Sequence, residues 1–202
     1  METIRGRRSL ELDSNGFKNQ SAGYTRILVD LGTGDGRYVK YTAENDPRSF
    51  VIGLDACREN LHEHSRVKLQ NMLFIIASAH EIPPELNGLA SHITINFPWG
   101  SLLESLLTGD ERLISGLAAT SRPITSFEIR LNEGALIQAG RSLETGAKKI
   151  YNNLVRVGWE FEPPMTMNAT ALRAFPSTWA RRLAFGPNPR AMVLSGRLFS
   201  TP

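Results

Sequence analysis

The segment Asp30-Leu-Gly-Thr-Gly-Asp-Gly36 follows an apolar run from Ile27 to Leu31. Because glycine lacks a Cβ, the three glycines around Thr33 (Gly32, Gly34 and Gly36) let the backbone approach a ligand closely. Such a loop at a strand-to-helix junction is typical of doubly wound folds that bind nucleotides. The pattern alone does not identify the ligand, because nicotinamide and flavin enzymes use a similar loop.

Two details favour S-adenosylmethionine (SAM). The dinucleotide fingerprint requires a glycine three positions after its second glycine, and Arg37 stands there. Asp30 offers an acceptor for the amino group of SAM. Asp55 ends the next apolar run, 25 residues after Asp30, where a carboxylate can accept both ribose hydroxyls. Asp55 also suits the N-cap of a helix that begins near Arg58, and the two roles are compatible.

The third apolar run leads into Ala77-Ser-Ala-His80, a junction that passes the adenine ring in such folds. Ser78, Ala79 and His80 are candidates for a polar contact to the adenine edge, and His80 is equally well interpreted as an ordinary surface histidine. The predicted cofactor-binding residues are Asp30, Gly32, Thr33, Gly34, Gly36, Asp55, Ala56, Ser78, Ala79, His80 and Phe97.

A second group of residues suits a flat substrate. Asn96-Phe-Pro-Trp-Gly100 follows the fourth apolar run, beside the methyl group in such folds, and offers a rigid aromatic shelf. Stacking of a base on an aromatic side chain contributes about 1–3 kcal/mol. Trp179 stands close to Arg181 and Arg182, which suggests a base clamp with phosphate contacts. Trp179 alternatively belongs to the core, as we expect for Trp159.

Alternating strand and helix patterns predict an α/β fold with a doubly wound, mostly parallel, seven-stranded sheet and an antiparallel C-terminal strand. Predicted strands cover residues 27–31, 50–54, 72–77, 93–97 and 126–131, with an antiparallel pair at 159–162 and 191–199. Predicted helices cover residues 37–45, 58–69, 102–119 and 147–157. Residues 1–24 form an N-terminal extension, with a possible hairpin at 4–12, and residues 25–202 form the main domain.

Composition sets wider limits. With 202 residues, 41% of them hydrophobic, the chain fits one domain. The only cysteine, Cys57, leaves no internal disulfide or multi-cysteine zinc site, and we predict no metal. No apolar run is long enough for a membrane span, and no secretory signal precedes the first strand, so we expect a cytoplasmic protein. Arginine supplies 18 of the 23 basic residues, which suits either phosphate binding or a solvated surface.

Three segments resemble the KamB and NpmA family of aminoglycoside-resistance 16S rRNA methyltransferases. They are Asp30 to Gly36, Phe97-Pro-Trp-Gly-Ser-Leu-Leu103 and Ser177-Thr-Trp-Ala-Arg-Arg-Leu183. The resemblance implies a class I, SAM-dependent methyltransferase that modifies N1 of adenine 1408 in the decoding site of the 30S subunit, acting as a monomer.

The resemblance also implies residue roles. Trp99 and Trp179 would hold a flipped adenine between them, with Ser101 near the base. The implied RNA-binding residues are Arg66, Lys68, Arg181, Arg182 and Arg190. Because neutral adenine N1 carries a free lone pair, its methylation needs no general base, and we assign no acid or base residue.

The chain departs from the family at several positions. Residues 65–71 form a shorter and less lysine-rich linker, and His80 replaces an expected glutamate. Asn96-Phe-Pro-Trp resembles the Asn-Pro-Pro-aromatic motif of N6-adenine methyltransferases. Two alternatives therefore stay open: methylation of another nucleic-acid adenine, at N6 or in a different RNA, and a SAM-binding RNA module with little activity.

Overall fold

The computed structural model describes residues 1–186 and 189–199. Residues 187–188 and 200–202, which belong to the predicted main domain, lie outside the described residues. The strands are β1 (Glu2–Arg5), β2 (Arg8–Glu11), β3 (Arg26–Leu31), β4 (Ser49–Asp55), β5 (Met72–Ile76), β6 (Ala90–Asn96), β7 (Ser121–Asn132), β8 (Glu160–Phe161), β9 (Met165–Met167) and β10 (Ala191–Phe199). The helices are α1 (Ser14–Ser21), α2 (Arg37–Asn45), α3 (Gly100–Thr108), α4 (Glu111–Thr120), α5 (Glu133–Gln138), α6 (Leu143–Arg156), α7 (Ala169–Ala174) and α8 (Thr178–Ala184).

Five parallel strands in the order β5-β4-β3-β6-β7 form the centre of the sheet. Their apolar runs are buried by helices on both faces, as parallel strands require. Strand β10 pairs antiparallel with both β7 and β8. The predicted fold class and the antiparallel C-terminal pair are therefore confirmed. From the neighbouring strands β3 and β6 the chain continues in opposite directions, to β4 and to β7, and doubly wound sheets bind ligands at such a reversal.

The sheet has ten strands within the described residues, more than the seven predicted. The predicted N-terminal hairpin forms as β1 and β2, and Thr3 pairs with Ile75 so that the hairpin extends the main sheet. An isolated two-stranded hairpin is marginally stable in water, and burial of Ile4 against the sheet stabilises it. Strand β9 adds a short antiparallel partner to β10.

Two helix predictions differ from the structure. Residues 58–69 form two 3₁₀ turns, Arg58–His62 and His64–Arg66, instead of a helix. Few apolar side chains of this segment are buried (Leu61 is), so little packing offsets the cost of helix nucleation. The predicted helix 102–119 is divided into α3 and α4 at Gly109, which has φ of 72°, and Asp110 caps α4.

Helices α7 and α8 were not predicted. Asn168 caps α7 by accepting a hydrogen bond from the backbone N–H of Ala171. Both helices pack in a small apolar cluster with Phe97, Leu172 and Ala180. This packing fixes the position of Trp179, which lies in the first turn of α8.

Candidate functional site

A cavity of about 430 Å³ opens where the carboxyl ends of β3, β4, β5 and β6 meet. Ten of the eleven predicted cofactor residues line it, together with all three predicted substrate residues. They are Asp30, Gly32, Thr33, Gly34, Asp55, Ala56, Ser78, Ala79, His80, Phe97, Trp99, Ser101 and Trp179. Residues that are up to about 150 positions apart in sequence therefore line one cavity.

The glycine loop shapes the cavity floor. Gly34 has φ of 60°, and a Cβ at this position would point into open space, where it would narrow the cavity. Gly36 does not line the cavity, and its predicted place at the cofactor stays a prediction. It is the left-handed N-cap of α2, and a Cβ there would lie 2.5 Å from the Phe74 ring. Gly36 therefore serves packing and the start of the helix.

Asp30 is the buried acidic group of the site, with only 1% of its surface exposed. Its Oδ1 accepts hydrogen bonds from Thr94 Oγ1 at 2.7 Å and from Asn96 Nδ2 at 2.8 Å. Its Oδ2 is buried and has no partner within the described residues. Burial raises the pKa of Asp30 to about 6, although the nearby Thr33 hydroxyl, the donors Thr94 and Asn96 and the charge of Arg130 oppose that rise. A buried acceptor without a donor is costly and fits the ammonium group of SAM.

Asp55 holds the opposite side of the cavity. Its Oδ2 accepts the backbone N–H of Gly34 at 2.8 Å, and its Oδ1 accepts the N–H of Cys57 at 2.8 Å and Nδ2 of Asn60 at 3.2 Å. The carboxylate thus joins the glycine loop to the first 3₁₀ turn. The predicted N-cap role of Asp55 is wrong, because Cys57 occupies the N-cap position of this turn and Asp55 accepts from the N–H of Cys57 itself.

His80 lies on the cavity wall with its ring between two serines. Its Nε2 is 2.6 Å from Ser105 Oγ, and its Nδ1 is 3.4 Å from Ser78 Oγ. These bonds tie the wall to α3. Asn96 and Pro98 of the predicted shelf also line the cavity. Sequence reasoning assigned no role to six further lining residues, and nearly all are neighbours of predicted ones: Asp35, Tyr38, Asn60, Ala77, Leu102 and Ser177.

A polar chain beneath the site was also missed. Asn96 donates through Nδ2 to Asp30 and accepts through Oδ1 from Arg130 at 2.9 Å. Arg130 also bonds to Glu128 at 2.6 Å, and its guanidinium lies 4.3 Å from the centre of the Phe175 ring. Arg130 alternates with apolar residues in β7, a pattern that sequence alone assigns to a solvent-exposed face.

The aromatic side chains meet at the mouth of the cavity. The rings of Trp99 and Trp179 are 5.3 Å apart between centroids and are tilted by 32°. Their residues are 37% and 40% exposed, whereas Trp159 is 4% exposed and packs against Phe127. The prediction that Trp159 belongs to the core is confirmed. Phe97 has φ of 54°, a strained value for a side chain of this size, and directs the chain toward Trp99.

The predicted RNA-binding residues fall into two groups. Arg181 and Arg182 are exposed on α8, and the Arg182 guanidinium lies 5.4 Å from the Trp179 ring. Arg66 and Lys68 are exposed between β4 and β5, outside the cavity. Arg190 is bound by two carboxylates, Glu133 at 3.0 Å and Glu144, so its availability to RNA is reduced. That role stays a prediction.

The part of the chain that the structure describes contains no cluster of three His, Cys, Asp or Glu side chains suited to a metal ion. Within the same residues, every helix is too short or too polar to cross a membrane. The site is thus built from hydrogen-bonding, acidic and aromatic groups.

Comparison with known proteins identifies the family. The family model for NpmA, 16S rRNA (adenine(1408)-N(1))-methyltransferase, matches residues 2–198. An Escherichia coli protein of that name is 29% identical over an alignment of 216 residues, 98% of this chain and 99% of the relative. One from Streptoalloteichus hindustanus is 29% identical, over 91% of this chain and 92% of the relative.

Solved structures agree with these sequence relatives. The structure of the 16S rRNA methyltransferase KamB is 26% identical and has a TM-score of 0.88, over 99% of this chain and 100% of that chain. A 16S rRNA (adenine(1408)-N(1))-methyltransferase mutant from Catenulisporales acidiphilia, solved with the cosubstrate SAM, is 25% identical with a TM-score of 0.87, over 100% of this chain and 99% of that one. Because the family model covers nearly the whole chain, the chain belongs to the NpmA family of 16S rRNA (adenine(1408)-N(1))-methyltransferases.

Proposed function

We propose that this SAM-dependent methyltransferase modifies N1 of adenine 1408 in the 16S rRNA of the 30S subunit. The observation that carries the proposal is that Trp99 and Trp179 line the same cavity as Asp30 and Asp55. An adenine held by the aromatic pair would therefore lie beside a cofactor held by the two carboxylates. The names of the sequence relatives and of the structural neighbours support the same reaction.

The residues present fit SAM. The free Oδ2 of Asp30 would accept the ammonium group, and the Asp55 carboxylate would accept the ribose hydroxyls while it orders the glycine loop. The open space over Gly34 leaves room for the ligand beside the backbone. When bound, SAM supplies an electrophilic methyl group on its sulfonium. The residues of the chain would position the cofactor and its target and stabilise their charges.

The aromatic pair would hold the target base in line with the methyl group. Taking a base out of an RNA helix costs a few kcal/mol, which stacking on two rings at about 1–3 kcal/mol each offsets. Neutral adenine N1 has a free lone pair, so no residue must remove a proton before transfer. The cationic product then lies between two aromatic faces, which stabilise positive charge. Positioning of this kind is worth roughly 7–11 kcal/mol of a barrier.

Asn96 supports the site from beneath. Its amide donates through Nδ2 to Asp30 and accepts through Oδ1 from Arg130, so it helps to hold the buried carboxylate in place. Its place in Asn96-Phe-Pro-Trp, which resembles the Asn-Pro-Pro-aromatic motif, keeps N6 as the alternative target atom.

Docking on the ribosome would use the exposed arginines of α8. Arg181 and Arg182 have no carboxylate partner within the described residues, and the Arg182 guanidinium lies against the Trp179 ring, so they would bind phosphates beside the flipped base. We infer that a monomer docks on the assembled 30S subunit in the cytoplasm. A methyl group on the pairing edge of adenine 1408 would confer aminoglycoside resistance.

Reverse transcription across the decoding site tests the proposal. Purified 30S subunits would be incubated with enzyme, with and without SAM. We expect a SAM-dependent stop at adenine 1408, because N1 methylation blocks base pairing, whereas N6 methylation leaves pairing possible. SAM binding without methyl transfer to any 30S nucleotide would support the inactive binding module instead, and a modification at another position would contradict the assigned target.

A further inference from the structure

The turn of the N-terminal hairpin carries three arginines. Arg5 pairs directly with Arg8 across the two strands, and Arg7 lies in the turn between them. All three are exposed, and none forms an ion pair within the described residues. Like charges directly opposite each other destabilise a strand pair. Binding of a polyanion would neutralise these charges and remove the repulsion between them.

The other end of the hairpin is neutralised by the chain itself. Glu2 pairs with Glu11, also like charges, but the N-terminal ammonium of Met1 lies 3.7 Å from Glu11 Oε2. The same ammonium lies 3.2 Å from Glu85. The like charges of the hairpin are therefore neutralised at its open end, whereas those at its turn are not.

The turn is fixed against the segment between β4 and β5. The backbone N–H of Gly6 donates to Ser65 Oγ at 2.8 Å in a buried bond, and the Arg58 guanidinium donates to the Arg7 carbonyl at 3.2 Å. A Cβ on Gly6 would lie 3.2 Å from Cγ of Arg66, so the Arg66 stem packs against the turn. The cluster formed by Arg5, Arg7, Arg8, Arg58 and Arg66 is called the arginine edge.

A groove of about 760 Å³ adjoins this edge, between the hairpin, the end of α1 and residues 65–74. Besides hydroxyl groups, its polar lining includes two cations and three amides, namely Arg5, Lys68, Asn19, Gln20 and Gln70. No described residue that lines the groove is acidic. The groove also shares no lining residue with the cofactor cavity.

We propose that the arginine edge and its groove bind a stretch of 16S rRNA backbone away from the target adenine. The inference rests on the proposed function, because it makes the ribosomal RNA the polyanion. Guanidinium groups match phosphate oxygens in two parallel hydrogen bonds, and side-chain amides suit ribose hydroxyls. Because the edge is separate from the cofactor cavity, it contributes docking affinity and leaves the chemical step alone.

The test compares two triple variants that lose the same charge. R5A/R7A/R8A removes the hairpin arginines, and R112A/R141A/R156A removes three exposed arginines elsewhere. Binding to 30S subunits would be measured over roughly 50–300 mM salt. Each lost phosphate contact lowers the slope of log affinity against log salt by about 0.7–0.9. We expect a slope smaller by about 2–3 for the hairpin variant, with roughly tenfold weaker binding at low salt, and little change for the control.

Calorimetry with SAM checks folding, and methylation at saturating 30S should proceed at the wild-type rate in both variants. If the triple hairpin variant does not fold, Arg7→Ala alone serves, since its side chain lies in the turn, and its slope should fall by about one phosphate contact. Equal slopes for hairpin and control variants would overturn the proposal. Wild-type protein that fails to methylate 30S subunits would instead count against the proposed function, so the two failures are distinguishable.

Discussion

The rings of Trp99 and Trp179 rest on each other, with 5.3 Å between their centroids. A base stacked between two rings needs about 3.4 Å on each side, and thus nearly 7 Å between the rings. The place for the base is therefore closed in this structure, and each tryptophan shields part of the other. Admission of adenine requires the two rings to separate by about 1.5 Å, a distance that side-chain rotation on α8 can supply.

Contact between the two indoles predicts a spectroscopic signal. We expect an exciton couplet in the far-ultraviolet circular dichroism of the free protein, because stacked indoles couple strongly. Trp99→Phe and Trp179→Phe should each remove the couplet. Trp159→Phe, which changes a buried ring outside the pair, is the control and should retain it. Absence of the couplet in the wild-type protein would show that the rings are apart in solution, and a couplet that survives Trp99→Phe would have another source.

The buried Asp30 carboxylate is expected to lower the stability of the free protein at neutral pH, although its charge is needed to bind the cofactor. Its pKa of about 6 in the folded chain exceeds the ordinary value of 3.8, so the folded state holds the proton more tightly. Stability of the free protein should therefore fall as pH rises from about 4 to about 6. Asp30→Asn removes this penalty, and we expect it to raise the free energy of unfolding at pH 7 by about 1–3 kcal/mol. Denaturant melts at several pH values measure this.

The same substitution should abolish tight SAM binding, because an amide cannot neutralise the ammonium group. In the wild-type protein, SAM affinity should rise with pH through about 6, as Asp30 ionises and the ammonium stays charged. Asp13→Asn, at the exposed cap of α1, carries the same charge change and is the control. A pH range of roughly 5 to 7.5 spans the pKa of Asp30. SAM affinity that does not change over this range would contradict the role assigned to Asp30.

Asp55→Ala should weaken SAM binding by about 1.5–3 kcal/mol, the value of a hydrogen bond to a charged group. The loss includes a contribution from the glycine loop, since Gly34 N–H loses its acceptor. Asp55→Asn should retain part of the affinity, because the amide oxygen still accepts one of these bonds. Calorimetry on the folded variants measures both values, and an affinity equal to wild type in Asp55→Ala would refute the assignment.

Local sequence patterns were sufficient to predict most residues that line the cavity at the ends of β3, β4 and β5. Asp30, Asp55 and Ser78 each lie where an apolar run ends, and parallel strands bring such ends to one edge. Gly36 lies outside that cavity, and the nearby Phe74 ring that leaves no space for a Cβ there depends on packing between β5 and α2. The aromatic pair was predicted by resemblance, since α7 and α8 are too short to give a clear helical period.

Long-range ion pairs could not be predicted. Arg190 meets Glu133 and Glu144, which are 57 and 46 residues away in sequence, only because β10 returns beside β7. The support that Arg130 gives to Asn96 likewise depends on the register between β6 and β7. These contacts follow from tertiary packing, and a pattern within one segment does not contain them.

Because Arg190 is held in ion pairs, we expect it to contribute less to RNA binding than Arg182. Arg182→Ala should weaken binding to 30S subunits and lower its salt dependence by about one phosphate contact, with SAM affinity unchanged. Arg190→Ala should have a smaller effect on 30S binding, because Glu133 and Glu144 already neutralise its guanidinium. Salt titrations of both variants decide this. Equal binding by wild type and Arg182→Ala at every salt concentration would refute the phosphate contact.

Substitution of Trp99, Trp179 and Trp159 distinguishes residues that hold the substrate from a residue that belongs to the core. Trp99 and Trp179 are more than a third exposed, so Trp99→Ala and Trp179→Ala should each cost far less than the 3–5 kcal/mol expected for a buried tryptophan. Methyl transfer should nevertheless collapse, because an unclamped adenine leaves its N1 off the line of attack. Phe at either position keeps a stacking face and should retain part of the activity.

Trp159→Ala is the opposite case. Trp159 is buried against Phe127 and Phe161, so its removal should cost about 3–5 kcal/mol, with activity lost only through unfolding. Thermal melts and single-turnover methylation of 30S subunits on the same preparations separate the two patterns. The clamp also requires that Trp179→Ala bind SAM normally, since the ring touches the base and the carboxylates hold the cofactor. A Trp179→Ala protein that unfolds, or that folds and methylates at the wild-type rate, would exclude the clamp for this chain.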